Sequence, residues 1–271
     1  MAADADHVFA EIADLLGADA AVRTRAIHEE RWVTYPRAKA ILEKLERLFE
    51  YPRRSRMPCL LIVGRSGMGK TMLLERFCRQ HDVRWEAERL REHTPVLSVV
   101  IRPQPTVRRF YAQLLSSLGT PVLSSASTIE LEDRVHRLLP ALGTKMLIAD
   151  EIHNVFTAPR GSDRDSLMAL LRTMIGELRI SLVCAGTDEA ENAILGDEQL
   201  ASRYEALHLP AWQPSVEFQG LIGSALRSMP LRHPSELNTL AIRHLVDITQ
   251  GVTARRQVRT RVQELPAPVS N

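Results

Sequence analysis

Residues 64–71 of the chain read Gly64-Arg65-Ser66-Gly67-Met68-Gly69-Lys70-Thr71 and fit the pattern G-x-x-x-x-G-K-[ST]. The apolar run before them, residues 59–63, predicts a buried strand, and residues 72–77, beginning with Met72, predict a helix. In a strand–loop–helix segment of this kind, the glycines of the loop let backbone N–H groups close around phosphate oxygens, and the helix N-terminus adds partial positive charge. Residues 64–72 are therefore predicted to bind a nucleotide triphosphate, with Lys70 on the β- and γ-phosphates and the Thr71 hydroxyl on Mg²⁺.

The composition is that of an ordinary globular protein, with 271 residues, 45% hydrophobic and 25% charged. No apolar run reaches about 18 residues, so we expect no membrane span. The N-terminus lacks the basic and apolar blocks of a signal peptide. The three cysteines are scattered and show no metal-ligand spacing, which favours reduced thiols. These features together predict a cytoplasmic protein.

The net charge of +2 is unevenly distributed. Residues 1–30 carry seven acidic side chains against two arginines, whereas residues 31–56 carry eight basic side chains against three acidic ones. Such an asymmetry permits an anionic polymer as partner, although solvated helix faces of mixed charge would give the same composition.

Apolar runs and helical patterns alternate through most of the chain. After the first strand, strands are predicted at residues 96–101, 146–149, 180–185 and 206–209, with helices between them. This alternation predicts an α/β fold with a five-stranded, mostly parallel sheet flanked by helices. Beyond Pro210 only helices are predicted, at residues 216–227, 236–249 and 253–264. The predicted domains are an acidic N-terminal arm (1–30), an α/β nucleotide-binding domain (31–212), a small helical lid (213–265) and a tail (266–271).

Two carboxylates follow the third predicted strand, as Asp150 and Glu151. A carboxylate at this position in a chain with a phosphate-binding loop is the Walker B arrangement, in which Asp150 holds Mg²⁺ directly or through water. Glu151 can orient and deprotonate a water that attacks the γ-phosphate, which favours hydrolysis. The alternative for Glu151 is a charge that stabilises the N-terminus of the next helix.

Two polar residues complete the candidate catalytic set. Thr187 follows the fourth strand, where it can hold the attacking water or sense the γ-phosphate, or else can cap the next helix. Arg203 precedes the fifth strand, where it suits an arginine finger that reaches a neighbouring subunit. The alternative for Arg203 is a surface arginine at a helix C-terminus.

These motifs together resemble those of AAA+ ATPases, a family of P-loop enzymes that use ATP and Mg²⁺. The Ser202-Arg203-Tyr204 triplet is similar to the S-R-C box of clamp loaders, with Tyr in place of Cys. The segment 251–256 lies where the family has its sensor 2 arginine, and the resemblance assigns that role jointly to Arg255 and Arg256.

A narrower resemblance is to the TniB/TnsC branch, and it covers roughly residues 30–260. It is carried by Arg31-Trp32-Val33-Thr34-Tyr35-Pro36, by LEKLERLFEYP, by ADEIHN at 149–154 and by AGTDEA at 185–190. The resemblance implies an ATP-dependent regulator of DNA transposition that assembles as a ring or helical filament on duplex DNA. It also implies recruitment of a DDE transposase and a TniQ-type adaptor, followed by disassembly on hydrolysis.

DNA contacts of such an assembly would be mainly to phosphates and largely independent of sequence. The candidates follow the second predicted strand of the sheet and are Arg102, Gln104, Thr106, Arg108 and Arg109. Arg108 and Arg109 could instead form only the polar face of the helix at 107–118. Trp32 and Tyr35 could flank the adenine, and core packing is an equal alternative for Trp32.

Two other functions are open on the sequence alone. A helicase loader or remodeller would have the same ATPase core and would act on a protein ring. A P-loop kinase would use Glu151 to activate a small-molecule hydroxyl, would need no Arg203 and would leave the helical lid unexplained.

Overall fold

The computed structural model describes residues 6–29, 31–81, 84–86, 91–156 and 162–253. Their contacts divide the chain into two compact units. We call Ile41–Pro210 the α/β unit. The helical unit takes its described residues from Met1–Ala40 and Ala211–Asn271. Residues predicted from the sequence to form an N-terminal arm and a lid thus belong to one unit.

Seven strands are described, and five of them form one parallel sheet in the order β4-β5-β6-β1-β7. The strands are β1 Cys59–Gly64, β2 Arg84–Glu86, β3 Arg91–His93, β4 Val96–Val100, β5 Met146–Asp150, β6 Ser181–Gly186 and β7 Tyr204–Leu209. The five strands predicted from the sequence form this sheet, which confirms the predicted fold class. The antiparallel pair β2–β3 was not predicted.

Eleven α-helices lie in the described residues, and most of them follow the predicted pattern. They are α1 Ala10–Ala13, α2 Ala20–His28, α3 Pro36–Phe49, α4 Lys70–Gln80, α5 Val107–Ser117, α6 Thr128–Ala141, α7 Ser162–Glu177, α8 Asp188–Leu195, α9 Glu198–Ala201, α10 Val216–Arg227 and α11 Thr239–Thr249. Short 3-10 helices occupy Asp14–Gly17 and Ile152–Val155. The helix predicted at 253–264 lies almost wholly outside the described residues. No helix of the described part is long and apolar enough to cross a membrane.

The pairing register determines which residues meet at each edge of the sheet. Gly64 at the end of β1 lies opposite Leu209, and Val63 lies opposite Gly186 at the end of β6. Because the strands are parallel, the ends of β1, β5 and β6 meet at one edge, which we call the loop edge. Tyr204 begins β7 opposite Cys59, so Arg203 lies at the opposite edge of the sheet.

Burial follows the position of each strand in the sheet. Every residue of β1, β5 and β6 is buried, because these central strands are covered by other elements on both faces. The edge strands β4 and β7 each include exposed positions. The core of the α/β unit is built from the apolar side chains of these strands together with helices α5, α6 and α7.

In the helical unit, the N-terminal segment binds to the end of α10. Four donors of this segment reach backbone carbonyls at or just beyond the end of that helix, where cationic side chains are favoured by the helix dipole. They are His7 Nε2 to Leu231 at 2.8 Å, the Phe9 N–H to Arg227 at 2.9 Å, Arg23 to Pro230 at 3.2 Å and Arg31 to Ser228 at 2.6 Å. The described residues of the acidic segment are therefore largely helical and hydrogen-bonded to the end of α10.

An aromatic cluster forms the second contact within the helical unit. The ring of Tyr35 packs edge-on against Trp212 at 5.2 Å between centroids, and burial raises the pKa of Tyr35. The Arg37 guanidinium lies over the Trp212 ring and pairs with Glu217 at 2.7 Å. Trp32 donates its indole N–H to Thr34 at 2.9 Å. Tyr35 therefore has a packing role, and an adenine contact by either residue stays a prediction.

Candidate functional site

The glycine loop (residues 64–71) joins β1 to α4 in the conformation that its glycines permit. Gly67 and Gly69 have φ of +80° and +87°, values that side chains with a Cβ rarely adopt. Gly69 is the N-cap residue of α4 and brings no side chain to bind the first N–H groups of that helix. Those N–H groups are therefore available to an anion at the helix N-terminus.

Lys70 is buried in this loop, with 4% of its surface exposed. Its ammonium group donates to the carbonyl oxygens of Gly64 at 2.7 Å and Arg65 at 3.1 Å. Burial lowers its pKa, and the nearby carboxylates of Glu151 and Asp150 oppose that shift. The hydrogen-bond partners of the buried ammonium are neutral carbonyl groups. A phosphate bound in the loop would give it a negatively charged partner.

Asp150 links the glycine loop to the end of β5. Its Oδ2 accepts a hydrogen bond from the Thr71 hydroxyl at 2.6 Å, and its Oδ1 accepts the N–H of Glu151 at 2.8 Å. The Asp150 residue is only 3% exposed. A hydroxyl and a carboxylate in contact beside a phosphate-binding loop are the oxygen donors that Mg²⁺ prefers, so these residues fit the predicted metal.

Glu151 begins a tight turn at the loop edge. Its φ is +56°, in the left-handed region that a non-glycine residue rarely adopts, and it precedes the 3-10 helix Ile152–Val155. One carboxylate oxygen lies 3.2 Å from Nε2 of His153, whereas the buried Nδ1 of His153 has no hydrogen-bond partner among the described residues. Glu151 is the N-cap residue of this short helix and makes no side-chain hydrogen bond to it, and its catalytic role stays a prediction.

Gly186 and Thr187 bring the end of β6 close to this turn. A Cβ at Gly186 would lie 2.9 Å from Cγ2 of Ile152, so only glycine allows this approach. Thr187 is the N-cap residue of α8, but its hydroxyl donates to Glu189 at 3.0 Å instead of capping the helix. The backbone position is that of a cap, and the sensing role stays a prediction.

Arg203 lies far from the glycine loop of its own chain. At about 3.3 Å per residue, the six steps from Arg203 to Leu209 along β7 span about 20 Å, and Leu209 is the residue that lies beside the loop. That distance exceeds the reach of an arginine side chain. The Arg203 N–H donates to Leu200 at 2.8 Å, and its carbonyl accepts the N–H of Cys59 at 2.9 Å. The Nη1 atom is buried and has no hydrogen-bond partner among the described residues.

Three of the five predicted DNA-binding residues line a cavity of about 260 Å³ between the end of β4 and α5, whereas Gln104 and Thr106 are not among its lining residues. None of the residues that line it is acidic, and three are arginines, Arg102, Arg108 and Arg109. Arg108 donates to the carbonyl of Ser124 at 2.7 Å, and Arg109 donates to that of Gln104 at 2.9 Å. These partners are neutral, so the guanidinium charges are not cancelled. Thr106 caps α5 by accepting the N–H of Arg109, which gives it a structural role.

Two predicted residues lie outside the described part of the chain, and two side-chain contacts were not predicted from the sequence. Arg255 and Arg256 lie outside the described residues. The contact of His153 with Glu151 was not predicted from the sequence, and neither was Asp197, which caps α9 and pairs with Arg172 at 2.5 Å. Asp directly before a short helical stretch is a recognisable N-cap signal, but nothing in the sequence indicates its partner on α7.

Several solved structures share this fold. The ORC2 protein of Aeropyrum pernix, solved in ADPNP–ADP complexes, has a TM-score of 0.58 and 19% identity, over 88% of this chain and 65% of that chain. Cdc6p from Pyrobaculum aerophilum has a TM-score of 0.58 and 15% identity, over 86% and 60%. The Aeropyrum pernix ORC1 protein in complex with DNA has a TM-score of 0.53 and 16% identity, over 89% and 68%.

The chain thus spans less than two thirds of the ORC2 and Cdc6p chains that it resembles. At these identities the likeness shows the fold alone, which is that of the AAA+ P-loop proteins and confirms the predicted fold. No curated protein was found to match the chain. The family model described as bacterial TniB protein matches residues 23–214, well over half of the chain. The chain therefore belongs to the TniB family.

Proposed function

We propose that this protein is an ATP-dependent regulator of DNA transposition. In the ATP state its subunits assemble on target duplex DNA and recruit a DDE transposase and a TniQ-type adaptor, and ATP hydrolysis disassembles them. One observation carries the ATPase part of the proposal: the loop edge combines Lys70, Thr71, Asp150 and Glu151, whereas Arg203 lies at the opposite edge. Membership of the TniB family supports the transposition role.

ATP would bind with its phosphates in the glycine loop. The N–H groups at the start of α4 and the Lys70 ammonium would contact the β- and γ-phosphates. Mg²⁺ would be held by Thr71 and Asp150 and would neutralise charge that develops on the phosphates. The ADPNP and ADP in the ORC2 complexes are consistent with nucleotide binding by a protein of this fold.

Glu151 would act as the general base of hydrolysis. A water attacks the γ-phosphorus, the bond to the bridging β–γ oxygen breaks, ADP leaves, and the proton of the water passes to the Glu151 carboxylate. The tight turn at φ +56° holds this carboxylate directly after Asp150, and His153 contacts it at 3.2 Å. The carboxylate is thereby kept beside the glycine loop.

A second subunit would complete the site. Since Arg203 cannot reach the glycine loop of its own chain, its guanidinium would contact the γ-phosphate held by a neighbour. ATP would then hold two subunits together, because one contributes Lys70 and Thr71 and the other contributes Arg203. Hydrolysis removes that shared contact and loosens the interface.

DNA would contact the arginines around the cavity at the end of β4. Their charge is not cancelled by an acidic partner in the cavity, and phosphate contacts need no particular sequence. Repetition of one weak contact in every subunit of an assembly gives high overall affinity. The DNA in the ORC1 complex is consistent with such a role for this fold.

Electron microscopy of the purified protein with duplex DNA and a slowly hydrolysed ATP analogue tests the proposal. We expect filaments or rings that enclose the DNA and that require the analogue. Lys70→Ala is the control, since loss of its ammonium should abolish ATP binding and the assemblies. Monomers under all conditions, or retained ATP affinity in Lys70→Ala, would contradict the proposal. Rings that form on a protein ring instead of on DNA would favour a helicase loader.

A further inference from the structure

Arg203 lies two residues after the very short helix α9, whose start is held by one carboxylate. Asp197 is the N-cap of α9, and its Oδ1 accepts the N–H groups of Gln199 and Leu200, both at 3.1 Å. Its second oxygen, Oδ2, accepts a hydrogen bond from Nη1 of Arg172 on α7 at 2.5 Å. One carboxylate thus joins the start of α9 to a helix that packs in the core of the α/β unit.

The far end of α9 is joined to Arg203 through Ser202. The carbonyl of Leu200 accepts the Arg203 N–H at 2.8 Å, and the side chain of Leu200 is completely buried. On its other side Arg203 is bound to Cys59 of β1 through its carbonyl. The backbone of Arg203 is therefore held by the sheet on one side and by α9 on the other. A helix of only four residues is not stable by itself, so its position depends on Asp197 and on the burial of Leu200.

We propose that Arg172 and Asp197 form a positioning pair for Arg203. The pair orients α9, and through it the arginine that completes the nucleotide site of a neighbouring subunit. The inference rests on the proposed function, because it requires Arg203 to act in trans. Arg172 and Asp197 do not touch nucleotide themselves, and they act only through the placement of Arg203.

A positioning role differs measurably from a general contribution to stability. The two side chains are 33% and 24% exposed, and ion pairs this accessible to water contribute little to the stability of a folded chain. Misplacement of a catalytic group by about 1 Å, in contrast, can lower a rate by about 100-fold. Loss of the pair should therefore lower kcat far more than it changes thermal unfolding.

The experiment compares Arg172→Ala, Arg172→Lys and Asp197→Asn in the full chain, measured as ATPase activity with duplex DNA. Arg172→Ala should lower kcat by roughly 10- to 100-fold and leave KM for ATP nearly unchanged, because its own glycine loop is intact. Arg172→Lys retains the charge pair and should keep most of the activity. Asp197→Asn retains the capping oxygen but loses the charge, so it should resemble Arg172→Ala; it also replaces Arg172→Ala if that variant does not fold. Arg137→Ala on α6, whose Nε donates to the carbonyl of Asp133 in its own helix, is the matched control.

Mixing separates an effect in trans from local damage. Arg172→Ala chains retain a working glycine loop, and Lys70→Ala chains retain a well-placed Arg203, so a mixture should be more active than either variant alone. Unchanged kcat in Arg172→Ala, or no gain of ATPase activity on mixing, would overturn the inference.

Arg203→Ala is measured beside these variants. Full activity in Arg203→Ala would contradict the shared nucleotide site itself. Reduced activity in Arg203→Ala with normal activity in Arg172→Ala would contradict the positioning role alone.

Discussion

The hydroxyl of Thr71 donates to Oδ2 of Asp150 across 2.6 Å, which joins the glycine loop directly to the end of β5. Asp150 is almost fully buried, so it depends on such donors in the folded chain. Both oxygens are also the groups that would hold Mg²⁺. The same pair therefore has a structural and a metal-binding role, which can be separated by substitution.

Thr71→Val replaces the hydroxyl with a methyl group of similar size. It leaves one oxygen of a buried carboxylate without its donor, and we expect the free energy of unfolding to fall by about 1–3 kcal/mol. It should also abolish the effect of Mg²⁺ on ATP binding, measured by calorimetry with and without the metal. Thr71→Ser keeps the hydroxyl and is the matched control. Equal Mg²⁺ dependence in the two variants would remove Thr71 from the metal site.

Glu151→Gln tests the general base with a side chain of the same shape. The amide cannot accept the proton of the attacking water, so kcat should fall by roughly 10²- to 10⁴-fold. ATP binding should persist, because Lys70, Thr71 and Asp150 are unchanged. Assemblies on DNA should then last much longer than those of the unmodified chain, which electron microscopy after addition of ATP can follow. Normal turnover would show that Glu151 is not the base.

Arg203→Ala tests the role of the opposite sheet edge. We expect kcat to fall by roughly 10³- to 10⁵-fold, the range typical of arginine fingers. Affinity for ATP in the isolated chain should change little, since Arg203 lies about 20 Å along β7 from the loop of its own chain. Mixing with Lys70→Ala chains should restore part of the activity. A mixture no more active than its components would argue against an arginine that acts in trans.

The sequence predicted those parts of the fold that depend on local pattern. The central strands are continuous apolar runs, such as β5 and β6, and the residues that follow them are predictable because parallel strands end at one edge. The glycine loop was predictable because its backbone needs positive φ at two glycines. Asp150 and Glu151 were found by their position after a strand rather than by the groups that they contact.

Interactions between distant segments were not predictable in the same way. Arg172 on α7 and Asp197 at the start of α9 are 25 residues apart in the sequence. Neither hydrophobic periodicity nor composition indicates that two residues so far apart form a pair. The proximity of His153 to Glu151 depends on a left-handed φ at a non-glycine residue, which sequence propensities do not favour. The composition of the N-terminal segment likewise gives no sign that its donors bind carbonyl groups at the end of α10.

Arg102 tests the proposed DNA surface through salt dependence. It lines the cavity after β4 and is exposed, so a phosphate could approach it directly. Arg102→Ala should weaken binding to all duplex sequences alike and reduce the slope of log K against log salt by about 1 for each phosphate that a subunit no longer neutralises. Fluorescence anisotropy over a series of salt concentrations measures both quantities. Arg137→Ala on α6 should change neither, and an unchanged slope in Arg102→Ala would place the DNA elsewhere.

The cysteines give a test of the α/β unit that does not depend on nucleotide. Burial raises the pKa values of Cys59 and Cys184 to about 12, and the Cys184 sulfur lies 3.4 Å from the Tyr204 hydroxyl in the same buried region. Because a thiol must ionise to react, both should resist alkylation at about pH 8, whereas the partly exposed Cys78 should react first.

The same pKa values predict how stability depends on pH. The folded pKa values of Cys59 and Cys184 lie above the ordinary thiol value of 9.0, so the unfolded chain loses these protons first as pH rises. The stabilising effect of the two neutral thiols is therefore complete below about pH 9 and is lost as pH rises towards about 12.

Mass spectrometry of alkylated peptides, with and without urea, shows which of the three cysteines is alkylated first. Rapid modification of Cys184 in the folded chain would mean that β6 is not the buried central strand on which the loop edge depends.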